Sequence, residues 1–549
     1  MNTTAPVLSV SQRERTRKMF LILFLSFITI AYLYGIRNYN YWTKKGVKHV
    51  KPKIPFFGNN ARQYLMRKSV TQLSDEMYWM YPNERFVGYY RGNDAELVVR
   101  DPELIKRILI TDFSSFYPRG LNPHKTVIEP MLKNLFFADG DTWRLLRQRM
   151  TPAFTTGKLK AMFPLIVKTA ERLQVIADEA AQSGKPIDVR DLMARYTTDF
   201  IGACGFGIDT DSLSDENSQF RKLGSDIFRV TVRHAFVMVF KEILPEVFKH
   251  FKVLGDVERQ LVSLMQSIMK QRDYKPSGRN DFIDLLLELK QKGVIVGESI
   301  EKVNDDGTPK EAQLELDDLL MAAQVFVFFA AGFETSSSAT SFTLHQLAFN
   351  PEEQRKVQKE IDRVLSKYDN KLCYDAVKEM TYLDMAFQEG MRMFPSLGFL
   401  IRQCAKKYTI PDSDVTIDEG VGIIIPVQAI HNDEQYFDNP DEFRPERFLP
   451  EEVNIRHKFV YMPFGDGPRA CIGERLGKMQ SIAGLAAVLS RFSVEPASNT
   501  IRKPTPEPSG GIVQSVKGGL PLIFHLCRHI SFVTPLGTAL KAAQIRIYN

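Results

Sequence analysis

Polar and apolar positions divide this chain into stretches of very different character. Between Lys18 and Arg37 no charged residue occurs, and the run MFLILFLSFITIAYLYGI offers only Ser26 and Thr29 as clearly polar groups. As an α-helix it would reach about 27 Å, enough for the hydrocarbon core of a bilayer. Residues 19–36 are therefore expected to form a transmembrane anchor, after an extension at 1–18 and before a basic, proline-containing hinge at 37–58. Pro52 and Pro55 cannot continue a helix. The rings of Tyr32, Tyr34, Tyr39, Tyr41 and Trp42 are expected at the headgroup level. A cleavable signal peptide would be shorter and would end in small residues.

Further along, no charge occurs from Leu319 to Phe333, which predicts a buried core helix over about 316–349. Apolar Leu476, Met479, Ile482, Leu485 and Leu489 recur at steps of three and four, the spacing of another helix beginning just after Cys471. Thr381-Tyr-Leu-Asp384 reads as a capping box that opens a helix carrying Glu389 and Arg392 on one face. Trp143 and Arg147 also share a helix face. GGLPLIFHL, ending at Leu526, is strand-like, and the tail 527–549 has no counterpart in the pattern. The apolar FVMVF at 236–240 is a second candidate for contact with lipid. No Pro/Gly/Ser-rich linker interrupts residues 59–526, so they are expected to form one large, mainly α unit with small β-sheets.

Composition changes this picture only in detail. The chain of 549 residues is 44% hydrophobic and 25% charged, ordinary for a globular protein. Its net charge of +7 is concentrated at the start, where residues 1–58 hold ten basic side chains against the single acid Glu14. Positive charge beside an apolar segment points to a membrane surface, whereas nucleic acid would need a basic stripe on the folded body. The five cysteines, at 204, 373, 404, 471 and 527, are scattered and odd in number, and none forms a Cys-x-x-Cys pair. Neither a disulfide framework nor a zinc site is indicated, which suits a reducing compartment.

Four constellations carry candidate chemistry. The first is Phe464-Gly-Asp-Gly467-Pro-Arg469-Ala-Cys471-Ile-Gly473, where glycines allow close backbone approach and Cys471 lies at a helix N-terminus that favours its thiolate. The second is Ala331-Gly332-Phe-Glu334-Thr335, a carboxylate and a hydroxyl set in an otherwise apolar helix. Polar groups there need a reason, and one alternative is that Thr335 bonds back to a carbonyl one turn earlier. The third is Glu389-x-x-Arg392 followed by Phe443-Arg-Pro-Glu-Arg447-Phe448, and the fourth is Trp143-x-x-x-Arg147.

Taken together, in this order and over approximately residues 37–526, these motifs resemble the cytochrome P-450 superfamily. Segments such as FFADGDTWRLLRQRMTPAFTTGKLKAMFP are similar to the insect microsomal enzymes of family six, particularly moth detoxification members. The resemblance implies a cytochrome P-450 fold holding heme b, with Cys471 as the axial thiolate on iron. Phe464, Gly467 and Arg469 would belong to the heme loop. Trp143, Arg147, Arg469 and Arg402 would face the propionates, and Gly332 would leave room for dioxygen. Glu334 and Thr335 would organise water and protons, while Glu389, Arg392 and Arg447 would form a structural network beneath the loop. The pocket would be lined from residues 116–136, 326–335 and 396–400. Also implied are attachment to the endoplasmic reticulum membrane by a single pass with the body facing the cytosol, and NADPH electrons through NADPH-cytochrome P-450 reductase. Cytochrome b5 is a further partner of that kind. The implied reaction inserts one oxygen atom from O2 into apolar small molecules such as plant toxins or insecticides.

The alternatives are an endogenous lipid or hormone hydroxylase, a reductase-independent heme-thiolate isomerase, and a non-enzymatic heme gas sensor or carrier. An isomerase does not need a proton-delivering alcohol, so the Glu334-Thr335 pair argues against it. Both ends depart from the family pattern, with seventeen or more residues ahead of the apolar run and a long tail beyond Leu526.

Overall fold

The computed structural model describes residues 10–527 apart from 123, 209, 216, 217, 229, 230, 280, 509 and 510. The tail beyond Cys527 and the first nine residues lie outside them. A helix at Asp318–Phe349 runs through the body, capped where the Asp317 carboxylate accepts the Leu320 N–H at 2.6 Å. Its first half is apolar, its second half carries small hydroxyl side chains such as Ser336, Thr340 and Thr343, and it is buried over most of its length. Small residues let its neighbours close in. A Cβ on Gly390 of the helix Thr381–Met393 would fall 2.4 Å from Thr343 Oγ1. The helices Val189–Ile201 and Glu474–Leu489 complete the bundle, with Gly484 pressed on the Tyr196 ring.

Strands β1 (Phe86–Arg91), β2 (Asp94–Val99), β3 (Ile187–Asp188), β4 (Ile295–Val303), β5 (Pro309–Leu314), β6 (Leu400–Gln403), β7 (Tyr408–Thr409), β8 (Thr416–Ile417), β9 (Gly422–Ile425), β10 (Phe492–Pro496) and β11 (Pro521–Leu526) are short. Among the described residues they form a four-stranded sheet in the order β1-β2-β9-β6, a three-stranded sheet β10-β11-β3, and the pairs β4-β5 and β7-β8. The β2–β9 pairing is parallel, with Leu97 opposite Ile423. The four-stranded sheet contributes Tyr90, Leu97, Val99 and Ile423 to a buried core that also holds Trp42, and the protein is mainly α as expected.

Three expectations change. The apolar N-terminal helix runs from Val10 to Gly35 and thus passes through the boundary expected at residue 18. Its segment Ser11–Gly35 is long and apolar enough to cross a membrane, and large side chains such as Phe20 and Phe27 are exposed on it.

The aromatic cluster divides. Tyr32 and Tyr34 are exposed, but Trp42 is fully buried, and its indole N–H donates to the Tyr89 carbonyl at 3.0 Å. The Gly88 backbone leaves the space that this ring fills. The hinge is accordingly built into the body, because a buried indole with its donor satisfied is more stable on the β1 backbone than in a headgroup layer.

The capping box at Thr381 is absent as such. Glu360 of an earlier helix (Pro351–Leu365) accepts from the N–H groups of Tyr382 (3.0 Å) and Leu383 (2.9 Å) and from the Thr381 hydroxyl (3.1 Å). A carboxylate from a neighbouring helix satisfies the orphan donors better than the local side chain could.

Candidate active site

The helix Gly140–Met150 is amphipathic, and Trp143 and Arg147 lie on its inner side, toward the loop that carries Cys471. Arg147 Nη1 donates to the Ala470 carbonyl at 2.7 Å, and the Arg469 guanidinium lies over the Trp143 ring at 4.3 Å. The loop is held by its own backbone, since the Cys471 N–H donates to the Phe464 carbonyl at 2.9 Å. Gly467 is obligatory for a local reason: its φ is +75°, and a Cβ would stand 2.0 Å from the Leu109 carbonyl oxygen. Gly473 is the N-cap of the helix Glu474–Leu489. Cys471 therefore sits two residues ahead of that N-cap. Its side chain is accessible. Burial raises its thiol above the usual range, while the Gly473 N–H and the nearby Arg147 and Arg119 oppose that rise.

Around the loop stands a cationic set. Arg469 is buried; its Nε donates to the Tyr117 carbonyl (2.6 Å) and its Nη2 to the Ala138 carbonyl (3.0 Å) and to Asp139 (2.8 Å). Arg402, on β6, is 2% exposed and donates to the Ile401 carbonyl at 2.7 Å. Arg119 donates to the carbonyls of Phe136 (2.8 Å) and Arg469 (3.2 Å). Burial, reinforced by mutual repulsion, pushes Arg469 down to about 8 and Arg402 to about 9, and burial pushes Arg119 down to about 10. Asp139 is the carboxylate that opposes these shifts. Arg469 Nη1 and Arg402 Nε are buried without a hydrogen-bond partner among the described residues. Orphaned guanidinium nitrogens amid surplus positive charge call for an anion. A flat ring with two carboxylates beside a cysteine satisfies that demand, so the residues present fit heme.

The long helix carries the carboxylate and hydroxyl of the second motif. Thr335 Oγ1 donates to the Ala331 carbonyl at 2.6 Å, and the Ser396 hydroxyl donates to the Thr335 carbonyl at 2.8 Å. The back-bond uses the hydroxyl proton and leaves the oxygen's lone pairs for a donor. Glu334 is ion-paired with Arg190 at the start of the helix Val189–Ile201. Gly332 faces that same helix, where a Cβ would meet Ile201 Cδ1 at 2.2 Å. The room it was expected to leave for dioxygen is thus taken by Ile201, and its neighbour Ala331 is the exposed residue of this turn.

Glu389, Arg392 and Arg447 converge with side chains at most 1% exposed. Arg392 donates to both Glu389 oxygens (2.7 and 3.0 Å), and Arg447 Nε donates to Oε1 at 3.2 Å. Arg447 and Arg392 then reach the carbonyls of Asn439, His431 and Pro440, tying down the segment that leads into the loop. Sequence reasoning missed Arg119, Asp139 and Arg190. Arg119 and Asp139 lie in irregular backbone with no periodicity, and Arg190 looks like any first-turn cation.

The cytochrome P450 family profile matches residues 49–522. Cytochrome P450 6B6 of Helicoverpa armigera is 39% identical over 493 residues, covering 90% of this chain and 95% of that protein. Cytochrome P450 6a2 of Drosophila melanogaster is 38% identical over 520 residues, covering 92% and 99%. Cytochrome P450 6B1 of Papilio polyxenes is 36% identical over 473 residues, covering 85% and 92%. With its helical body, its cysteine loop and the arginines gathered around it, the chain belongs to the cytochrome P450 family, and it is a heme monooxygenase of that family.

Proposed function

We propose that this monooxygenase inserts one oxygen atom into apolar plant toxins or insecticides, with electrons from NADPH delivered by NADPH-cytochrome P-450 reductase and, as a further donor, cytochrome b5. Cys471 is the thiolate ligand of its heme b. The observation that carries the site assignment is the pair of orphaned, buried nitrogens on Arg469 and Arg402 beside an accessible cysteine. Arg119, Arg147, Arg402, Arg469 and Trp143 would hold the heme carboxylates. When bound, the group supplies reductive activation of dioxygen, favoured by thiolate donation.

The chain's own residues then manage protons. Thr335 Oγ1, its hydrogen committed to Ala331, accepts a hydrogen bond from water and orients that water's second proton toward the site. Glu334, held by Arg190, is the carboxylate one residue away: when the ion pair opens it takes a proton from solvent and passes it to that water. Residues 116–136, 326–335 and 396–400 line the substrate's side of the site. The Ser11–Gly35 helix anchors the enzyme in the endoplasmic reticulum membrane, and the basic residues that follow it keep the body on the cytosolic side. The exposed Phe236 and Met238 of the helix Val232–Ile243 add a second apolar contact with lipid.

The substrate class rests on the likeness to insect family-six enzymes, and the test is product identification. Membranes carrying the protein and reductase should convert apolar toxins in an NADPH-dependent way, faster than sterols or fatty acids. Preferred turnover of an endogenous lipid would replace the detoxification reading, and product without NADPH would replace the monooxygenase reading.

A further inference from the structure

The β4–β5 hairpin lies across the outer side of the helix Gly140–Met150, whose inner side meets the cysteine loop. Its backbone presses close: a Cβ on Gly297 would fall 2.7 Å from Leu145 Cδ2. The Ser299 hydroxyl (2.9 Å) and the Ile300 N–H (2.7 Å) both donate to Asp141 in the helix's first turn. Two cations of the helix are engaged as well. Arg144 Nη2 donates to Glu298 at 2.9 Å, and Arg149 Nη2 donates to the Val296 carbonyl at 2.8 Å. The hairpin carries five acids, Glu298, Glu301, Asp305, Asp306 and Glu311, against Lys302 and Lys310. Its turn is ordered, with Gly307 at φ +82° and the Asn304 N–H donating to the Thr308 carbonyl at 2.8 Å.

Arg147 bonds to the residue beside Cys471. A protein seated on the outer side of this helix would stand about one helix diameter, roughly 10 Å, from the loop that holds the ligand. That is a short path for an electron, and Arg144 and Arg149 would favour an acidic donor there. The hairpin places its own carboxylate on one of those cations and its backbone on the other.

We propose that the 295–314 hairpin is a built-in acidic competitor that occupies Arg144 and Arg149 and so weakens docking of an acidic electron-donor protein on this helix. The inference rests on the reading of the protein as reductase-driven. The Arg144–Glu298 pair is partly exposed, with side chains 28% and 67% accessible, so its release has a small, salt-sensitive effect.

The test is direct binding of NADPH-cytochrome P-450 reductase to the heme-loaded full chain at low and high ionic strength, beside reductase-dependent reduction under CO. Glu298→Gln should tighten reductase binding about threefold at low salt, and Glu298→Lys should tighten it further. Adding Arg144→Gln to Glu298→Gln should abolish the gain, and high salt should shrink it. An unchanged dithionite-reduced CO spectrum in each variant identifies a folded site. Unchanged or weaker binding by folded Glu298→Gln, or a gain that persists without Arg144, overturns the competitor. Wild-type protein that binds reductase but accepts no electron from it overturns the functional reading instead, and the binding arm still decides the role of the hairpin.

Discussion

Replacing Glu389 by Gln should be among the most destabilising single-atom changes in this protein. The carboxylate is fully buried and accepts four hydrogen bonds: two from Arg392, one from Arg447 Nε and one from the Arg444 N–H at 3.0 Å. An amide nitrogen in place of either oxygen would face N–H donors, and the two guanidinium groups would lose their buried counter-charge. Arg392 would keep only carbonyls, and Arg447 would keep Asp438, whose side chain is 65% exposed. Breaking a buried pair by removing one partner costs about 3–5 kcal/mol, a large share of the roughly 5–15 kcal/mol that holds a typical domain folded. Asp438→Asn is the control: that carboxylate also pairs with Arg447 and Arg444 but is largely in water, so its loss should cost about 1 kcal/mol or less. The assay is urea unfolding of heme-loaded protein, followed by far-UV circular dichroism and heme absorbance together. Glu389→Gln should lower the midpoint far more than Asp438→Asn, with reduced heme content as purified. Loss of less than about 1 kcal/mol, or equal losses in the two variants, would refute the view that this cluster braces the cysteine loop.

Cys471→Ser should abolish both the thiolate-type ferrous–CO band and product formation; a variant that keeps both removes Cys471 as the ligand. Thr335→Ala should keep that band and consume NADPH with reductase, yet yield less product and more hydrogen peroxide per NADPH. A tenfold loss in the productive step corresponds to about 1.4 kcal/mol, and unchanged coupling would leave Thr335 as a helix residue only. Arg402→Leu removes a buried cation with an orphaned nitrogen, so heme transfer to an apo-globin acceptor should speed up by about tenfold or more, given roughly 1.5–3 kcal/mol for a hydrogen bond to a charged group. Heme retention equal to wild type would show that Arg402 serves another end.

Much of this protein is legible in residue order because its chemistry is packed into local motifs. The cysteine loop, the helix that follows it and the apolar run at 19–36 each depend on neighbours a few residues away, so spacing alone exposes them. The long helix was visible for the same reason, since fifteen uncharged positions ahead of Glu334 leave it nowhere but the core. Contacts between distant segments decided the rest. Trp42 looks interfacial beside an anchor, yet β1 brings Gly88 under its ring. Thr381 looks like a cap, yet Glu360 from the helix Pro351–Leu365 takes its role. Gly332 looks like a space over a cofactor, yet the packing of two helices gives that space to Ile201. Arg119, Asp139 and Arg190 carry no local signature, because a charge becomes functional through what faces it. Periodicity reports which side of an element is apolar, and only the tertiary structure sets which charge meets which partner across hundreds of residues of chain.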